Sequence, residues 1–178
     1  MEELEVPTEH LHEKIHETAE ESKEKWIMFV ALSTAFIAVL AALAGLMGGH
    51  HSNEAMMDQI KSSDQWALYQ AKGIKSEINA STAKIIAATT GKEVSGENKA
   101  KVARYDAEKD SIKHNATHFQ QSSEEHLEKH VSFAKSVTIF QIAIAISAIA
   151  ILTRRKILWI ASIILAAGGT YFLVIGFL

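Results

Sequence analysis

The chain has 178 residues, 48% of them hydrophobic, with 18 Lys and Arg against 21 Asp and Glu, nine His, one Pro and no Cys. The lack of cysteine excludes a disulfide framework, a thiolate metal site and a cysteine nucleophile. Charge is missing from 26–49 and, apart from Arg154, Arg155 and Lys156, from 136–178, and so much uninterrupted apolar sequence points to an integral membrane protein rather than a soluble enzyme.

Residues 1–25 carry nine Glu against three Lys. Thr8 can cap a helix with Leu11, Ile15 and Ala19 along one face, which predicts an acidic cytoplasmic amphipathic helix. Its charge disfavours an anionic lipid surface, so the plain reading is a solvated helix and the alternative a docking peptide. The run 26–49 exceeds the roughly 20 residues that cross a hydrocarbon core. It predicts transmembrane helix 1. An acidic flank and a long apolar run argue against a cleaved signal peptide. Ala41, Gly45 and Gly49 recur four apart and would let helices approach closely, although such residues are common in any membrane helix.

Residues 50–135 hold 12 basic and 12 acidic residues, a balance unlike a nucleic-acid surface. The breaker cluster Thr89 to Gly96 predicts two helical arms joined by a turn near 89–96. Ser52 or Asn53 would cap the first arm after a break at Gly48 and Gly49, and Ser95 the second. Heptad-like seams run through Ile60, Ala67, Ile74 with Ala71, Ile78, Ile85 on the first arm. On the second they run through Tyr105, Ile112, Phe119, His126, Phe133 with Val102, Ala116, Ser123, His130. Two thin arms interrupted by Asp64, Ser81, Lys109 and Ser123 bury little on their own, so pairing between subunits is expected.

Residues 136–153 and 157–178 predict transmembrane helices 2 and 3, split by the basic turn 154–156. Arg154, Arg155 and Lys156 set the topology, since three adjacent cations are costly to translocate and belong in the cytoplasm. The N-terminus is then cytoplasmic and 50–135 extracytoplasmic, with Trp26 and Trp159 at the cytoplasmic interface. Ser162, Ala166 and Thr170 form a second small-residue step. Gln141 is the one amide in the spans, which hold no ionisable side chain, and pumps normally need such groups at depth. The fold class expected is therefore all-α: an integral membrane protein with three transmembrane helices and a long antiparallel extramembrane helical hairpin, coiled-coil-like.

Histidine is the enriched reactive residue: His10, His12, His16, His50, His51, His114, His118, His126 and His130. Imidazoles four apart share a helix face and can hold Zn²⁺ or another borderline metal. His126 and His130 fall on the second seam, and a turn centred near residue 94 places Asp58 and Asp64 opposite them, a two-histidine, carboxylate metal site. The same histidines serve equally as polar seam residues that fix register, or as a pH-responsive element. Thr90-Gly91-Lys92 lacks the upstream glycine of a P-loop, and Trp66 and Tyr69 read first as packing. No catalytic residue is expected.

The N-terminal PTEHLHEKIHE, the Lys-Trp step into the first span, and GGHHSNEAM and SSDQWALYQAKGIKSE resemble a family of bacterial three-span membrane proteins, domain of unknown function 4337. The resemblance runs the whole length and implies a bacterial inner-membrane location; it carries no site residues. The function expected is a non-enzymatic oligomeric scaffold or accessory subunit whose hairpin binds another copy and another envelope membrane protein. A metal- or pH-responsive sensor acting through a partner is the alternative, and a channel or transporter component a third.

Overall fold

The computed structural model describes residues 25–91 and 96–178. The acidic N-terminal segment with His10, His12 and His16, and the Ser95 cap, lie outside the described residues. Among the described residues three α-helices follow in order: α1 (Lys25–Thr90), α2 (Gly96–Thr153) and α3 (Lys156–Phe177). Each contains a stretch long and apolar enough to cross a membrane. The described chain falls into two compact units, one of residues 25–52 with 126–178 and one of 53–125.

The expected break at Gly48 and Gly49 does not occur, and α1 is helical from Trp26 through Asn53 and on to Thr90. Two glycines cost a helix only about 2 kcal/mol together, and Gly48 is needed for contact: a Cβ there would lie 3.2 Å from Cβ of Phe133. Gly91, at φ +66, ends α1 in the left-handed region, its N–H donating to the Ala87 carbonyl at 3.0 Å.

In the first unit, parts of all three helices pack around Ile37, Ala41, Ala44, Phe133, Phe140, Ile144 and Leu173. A second cluster joins Ile27, Val30, Ala31, Ala148 and Ile151 to Trp26 and Trp159. The two buried phenylalanines lie against glycines of α3, where an added Cβ would sit 2.7 Å from Cε1 of Phe140 at Gly169 and 2.9 Å from Cε1 of Phe133 at Gly176. Buried hydroxyls bind across the helices. Ser136 donates to the Gly169 carbonyl at 2.9 Å, Ser147 to Ser162 Oγ at 2.9 Å, and Trp159 Nε1 to Ser33 Oγ at 3.1 Å. The outer surface is apolar, with Phe29, Leu32, Phe36, Val39, Leu46, Leu152, Ile157 and Ile164 exposed.

The structure places Ala41, Ser162 and Ala166 in packed faces. Gly45 and Gly49 have nothing within 4 Å of an added Cβ, and Thr170 is exposed. On α3 the buried line runs Ser162, Ala166, Gly169, Leu173, Gly176, the mixed three- and four-residue spacing that keeps one helix face inward.

The α2–α3 turn is a Schellman motif: Arg155 N–H reaches the Ala150 carbonyl at 3.1 Å and Arg154 N–H the Ile151 carbonyl at 3.2 Å. Arg154 takes the left-handed position, φ 53, which costs a non-glycine residue about 1 kcal/mol. Lys156 Nζ lies 5.8 Å from the centre of the Trp26 ring, linking this turn to the start of α1.

In the second unit α1 and α2 run antiparallel, fixed by polar bonds. Ser62 donates to the Ala116 carbonyl at 3.0 Å, Ser123 to the Ala55 carbonyl at 2.8 Å, Ser122 to Asp58 Oδ2 at 2.7 Å and Ser76 to Asp106 Oδ1 at 3.1 Å. The second-arm seam faces inward as expected, with Ile112, Ala116 and Ser123 buried and Val102, Tyr105 and Phe119 half-buried. The first-arm seam does not: Ile60, Ala67, Ala71, Ile74, Ile78 and Ile85 are all exposed, and α1 turns Ala55, Asp58, Ser62, Ser76 and Ala83 inward. The serine bonds require small inward residues, and bulky isoleucines would hold the backbones apart.

Hydrogen bonding from Lys72, reinforced by the charges of Lys72 and Arg104, holds the Glu108 carboxyl below the usual carboxylate range, and Lys101 does the same for Glu97. A lowered folded-state value means the contribution is present above the ordinary carboxylate pKa and is lost as pH falls through the lowered one. The second unit should therefore lose a small part of its stability on acidification below about pH 4, and Glu108→Gln should remove part of that dependence in unfolding followed by circular dichroism. In the first unit, Gly169→Ala should destabilise by about 1–3 kcal/mol through the Phe140 clash. Gly168→Ala, with nothing within 4 Å, should be neutral or slightly stabilising in unfolding followed in detergent.

Candidate functional site

The densest group of reactive side chains is a histidine cluster on α1 and α2 in the first unit. Helical spacing puts His126, His130 and Phe133 on one face of α2, and Gly48 and His51 three apart on α1. His51 Nδ1 and His126 Nδ1 lie 2.9 Å apart. One imidazole must therefore donate its Nδ1 proton while the other presents a bare Nδ1, so the two rings hold different tautomers. A pair of this kind can carry one added proton and keep its bond; with both rings cationic, two donors face each other and the bond is lost.

His130 Nδ1 lies 2.8 Å from the Gly48 carbonyl. A carbonyl only accepts, so His130 is protonated at Nδ1 and its neutral form carries the lone pair on Nε2. Metal-binding histidines are oriented by a backbone carbonyl in the same manner. His51 stacks on Phe133 with centroids 5.6 Å apart and planes 9° apart, and His50 meets His51 edge-on at 5.3 Å. Phe133, wholly buried and T-shaped against Phe177 at 5.1 Å, is the floor on which His51 rests.

His126 and His130 thus take His51 and the Gly48 carbonyl as partners. Asp58 is engaged instead with Ser122 at 2.7 Å and Lys61 at 2.8 Å, and Asp64 is exposed on α1. Among the described residues no group of three or more His, Cys, Asp or Glu is arranged to hold a metal ion. His114 and His118 are exposed on α2. Trp66 and Tyr69 make a T-shaped pair at 5.6 Å, with Lys109 Nζ 5.2 Å from the Tyr69 ring centre. Gln141 is half-buried. His51 and Gly48 complete the cluster without having been paired with it from sequence. The signal was there in GGHH, but only the antiparallel register says which histidine it meets.

The family model for a domain of unknown function, DUF4337, matches residues 26–178, and the chain belongs to that family. Comparison with curated proteins and with solved structures returns no match.

A double-mutant cycle of His51→Ala and His126→Ala should give a coupling of about 0.5–1.5 kcal/mol, the net worth of one hydrogen bond. Unfolding in detergent measures it, and additive single effects would mean that the bond contributes nothing.

Proposed function

We propose that the chain is a non-enzymatic, three-span protein of the bacterial inner membrane that serves as an oligomeric scaffold or accessory subunit. Its N-terminus and the turn at Arg154, Arg155 and Lys156 would face the cytoplasm, and residues 53–125 would lie outside it. The first unit supports the membrane assignment, because its exterior is apolar while Ser136, Ser147, Ser162, Gly169 and Gly176 are turned inward, the pattern of helices whose surroundings are lipid. Trp26 and Trp159 pack on one cluster and Lys156 of the basic turn lies over Trp26, and positive-inside asymmetry with indoles at an interface supports the orientation.

The association role is carried by one observation: the second unit buries serines and alanines between its helices and leaves the isoleucines of α1 in the open. A helical pair that buries so little apolar surface draws its stability from a further partner. A second reading, a metal- or proton-responsive module signalling through that partner, is favoured by the His51–His126 bond.

Purification in mild detergent at native expression should yield a complex larger than one chain, with another envelope membrane protein as the expected companion. Zinc carried along, and lost in His126→Ala plus His130→Ala, would select the sensor reading. A metal-free species of single-chain mass would remove both. For topology, a cysteine at Lys99, unique in this cysteine-free chain, should react with an impermeant maleimide from the extracytoplasmic side. Reaction from the cytoplasmic side alone would invert the orientation.

A further inference from the structure

We propose that the exposed line of α1 in the second unit is the interface with a second copy of this chain, the two α1 helices lying side by side, parallel and in register. The proposal rests on the association reading above and names the surface and the partner. Ile60 is 56% exposed, Ile74 61%, Ile78 58% and Ile85 66%, whereas Ser62 and Ser76 on the opposite face of the same helix are 1% and 7% exposed. An isolated exposed Leu or Ile is unremarkable, but an aligned set on one helix face is an interaction surface.

The spacing identifies the occupant. With Ile60 at position d of a heptad, the d positions continue as Ala67, Ile74 and Ser81, and the a positions run Met57, Asp64, Ala71, Ile78 and Ile85. Positions f are then Ser62, Tyr69, Ser76 and Ala83, the side turned to α2. The heptad is thus complete but reversed: the face that a coiled coil buries is free, and the face that it exposes is already used. A sustained repeat of 3.5 residues is the period that a second helix carrying the same repeat interlocks with, and an identical helix matches it layer for layer.

The size fits as well. From Met57 to Ile85 the line runs through four heptads, roughly 40 Å, the length over which a sustained a/d repeat marks a coiled-coil seam. Copies inserted with one topology are related by an axis along the membrane normal, so like helices meet in parallel. Parallel pairing places Gln70 near Lys75 and Glu77 near Thr82 across the flanks, with no like charges opposed there. Asp64 at an a position, opposed to its own copy, and Ser81 at a d position are polar layers that fix register while weakening the pair. A lipid surface is the poorer occupant, because that carboxylate lies within the apolar line.

The test uses full-length protein in mild detergent. Ile60→Cys and Ile85→Cys, near opposite ends of the line, should each form disulfide-linked dimers on oxidation, and Thr117→Cys, exposed on α2, should not. Ile74→Asp with Ile78→Asp should weaken dimerisation about ten-fold or more with helicity unchanged, since neither side chain is packed in the single chain. Asp64→Ile should strengthen it.

Dimers from Thr117→Cys but not from Ile60→Cys or Ile85→Cys would overturn this interface and leave association through another face standing. Cross-linking only in a mixture of Ile60→Cys with Ile85→Cys would overturn the parallel arrangement. Protection of Ile60→Cys from a soluble maleimide in liposomes, without cross-linking, would assign the line to lipid. A single-chain mass with no cross-link at any position would remove the association reading as well.

Discussion

Packing of the first unit depends on the contact of Phe133 and Phe140 with Gly176 and Gly169, where any Cβ would come within 3 Å of a ring carbon. Lipid tails are as apolar as leucine, so there is little hydrophobic gain in bringing two membrane helices together, and close fit and hydrogen bonds must supply the attraction. The rings seated on bare backbone bring α3 near enough for Ser136 to reach the Gly169 carbonyl and Ser147 to reach Ser162. Phe133 then carries the His51 ring on its face, so the histidine cluster inherits its geometry from a glycine of α3.

The basic turn shows which of two demands prevails when they conflict. A Schellman motif favours glycine at its left-handed position, and Arg154 stands there at φ 53. The strain is about 1 kcal/mol, whereas carrying cationic side chains through a bilayer costs about 2.5–3.5 kcal/mol each. On the proposed cytoplasmic placement of the turn, an arginine at that position gives more in orientation than it loses in backbone comfort. Lys156, beside it, is stationed over Trp26, so one cation of the turn also contributes to packing.

The apolar spans, the second-arm seam and the Glu97–Lys101 pair at 2.7 Å were legible in the sequence, because each follows from composition or from spacing along one helix. The first-arm seam was legible as a heptad and misassigned to α2. Periodicity says which face seeks burial and is silent on what buries it. The small-residue steps were legible only in part, since a four-residue spacing drifts off the helix face within two turns: Ala41 is buried and Gly49, eight residues on, meets nothing. Opposing Asp58 and Asp64 to His126 and His130 required the register, which the serine-to-carbonyl bonds set.

Both units seat small and hydroxyl-bearing residues at close helix contacts and leave many apolar residues outside, although the first unit also buries Phe133, Phe140, Ile144 and Leu173, and the outer surface has different consequences in the two. In the first unit, Leu32, Phe36 and Ile164 are exposed beside a helix interface closed by hydroxyl bonds, a surface of the kind that lipid satisfies without any further protein. The second unit is charge-rich, with Lys72, Arg104 and Glu108 forming ion pairs, which places its isoleucines in water unless something covers them. At about 25 cal/mol per Å² of apolar surface, covering residues that lie in water is favourable, whereas covering a surface already in an apolar medium gains little.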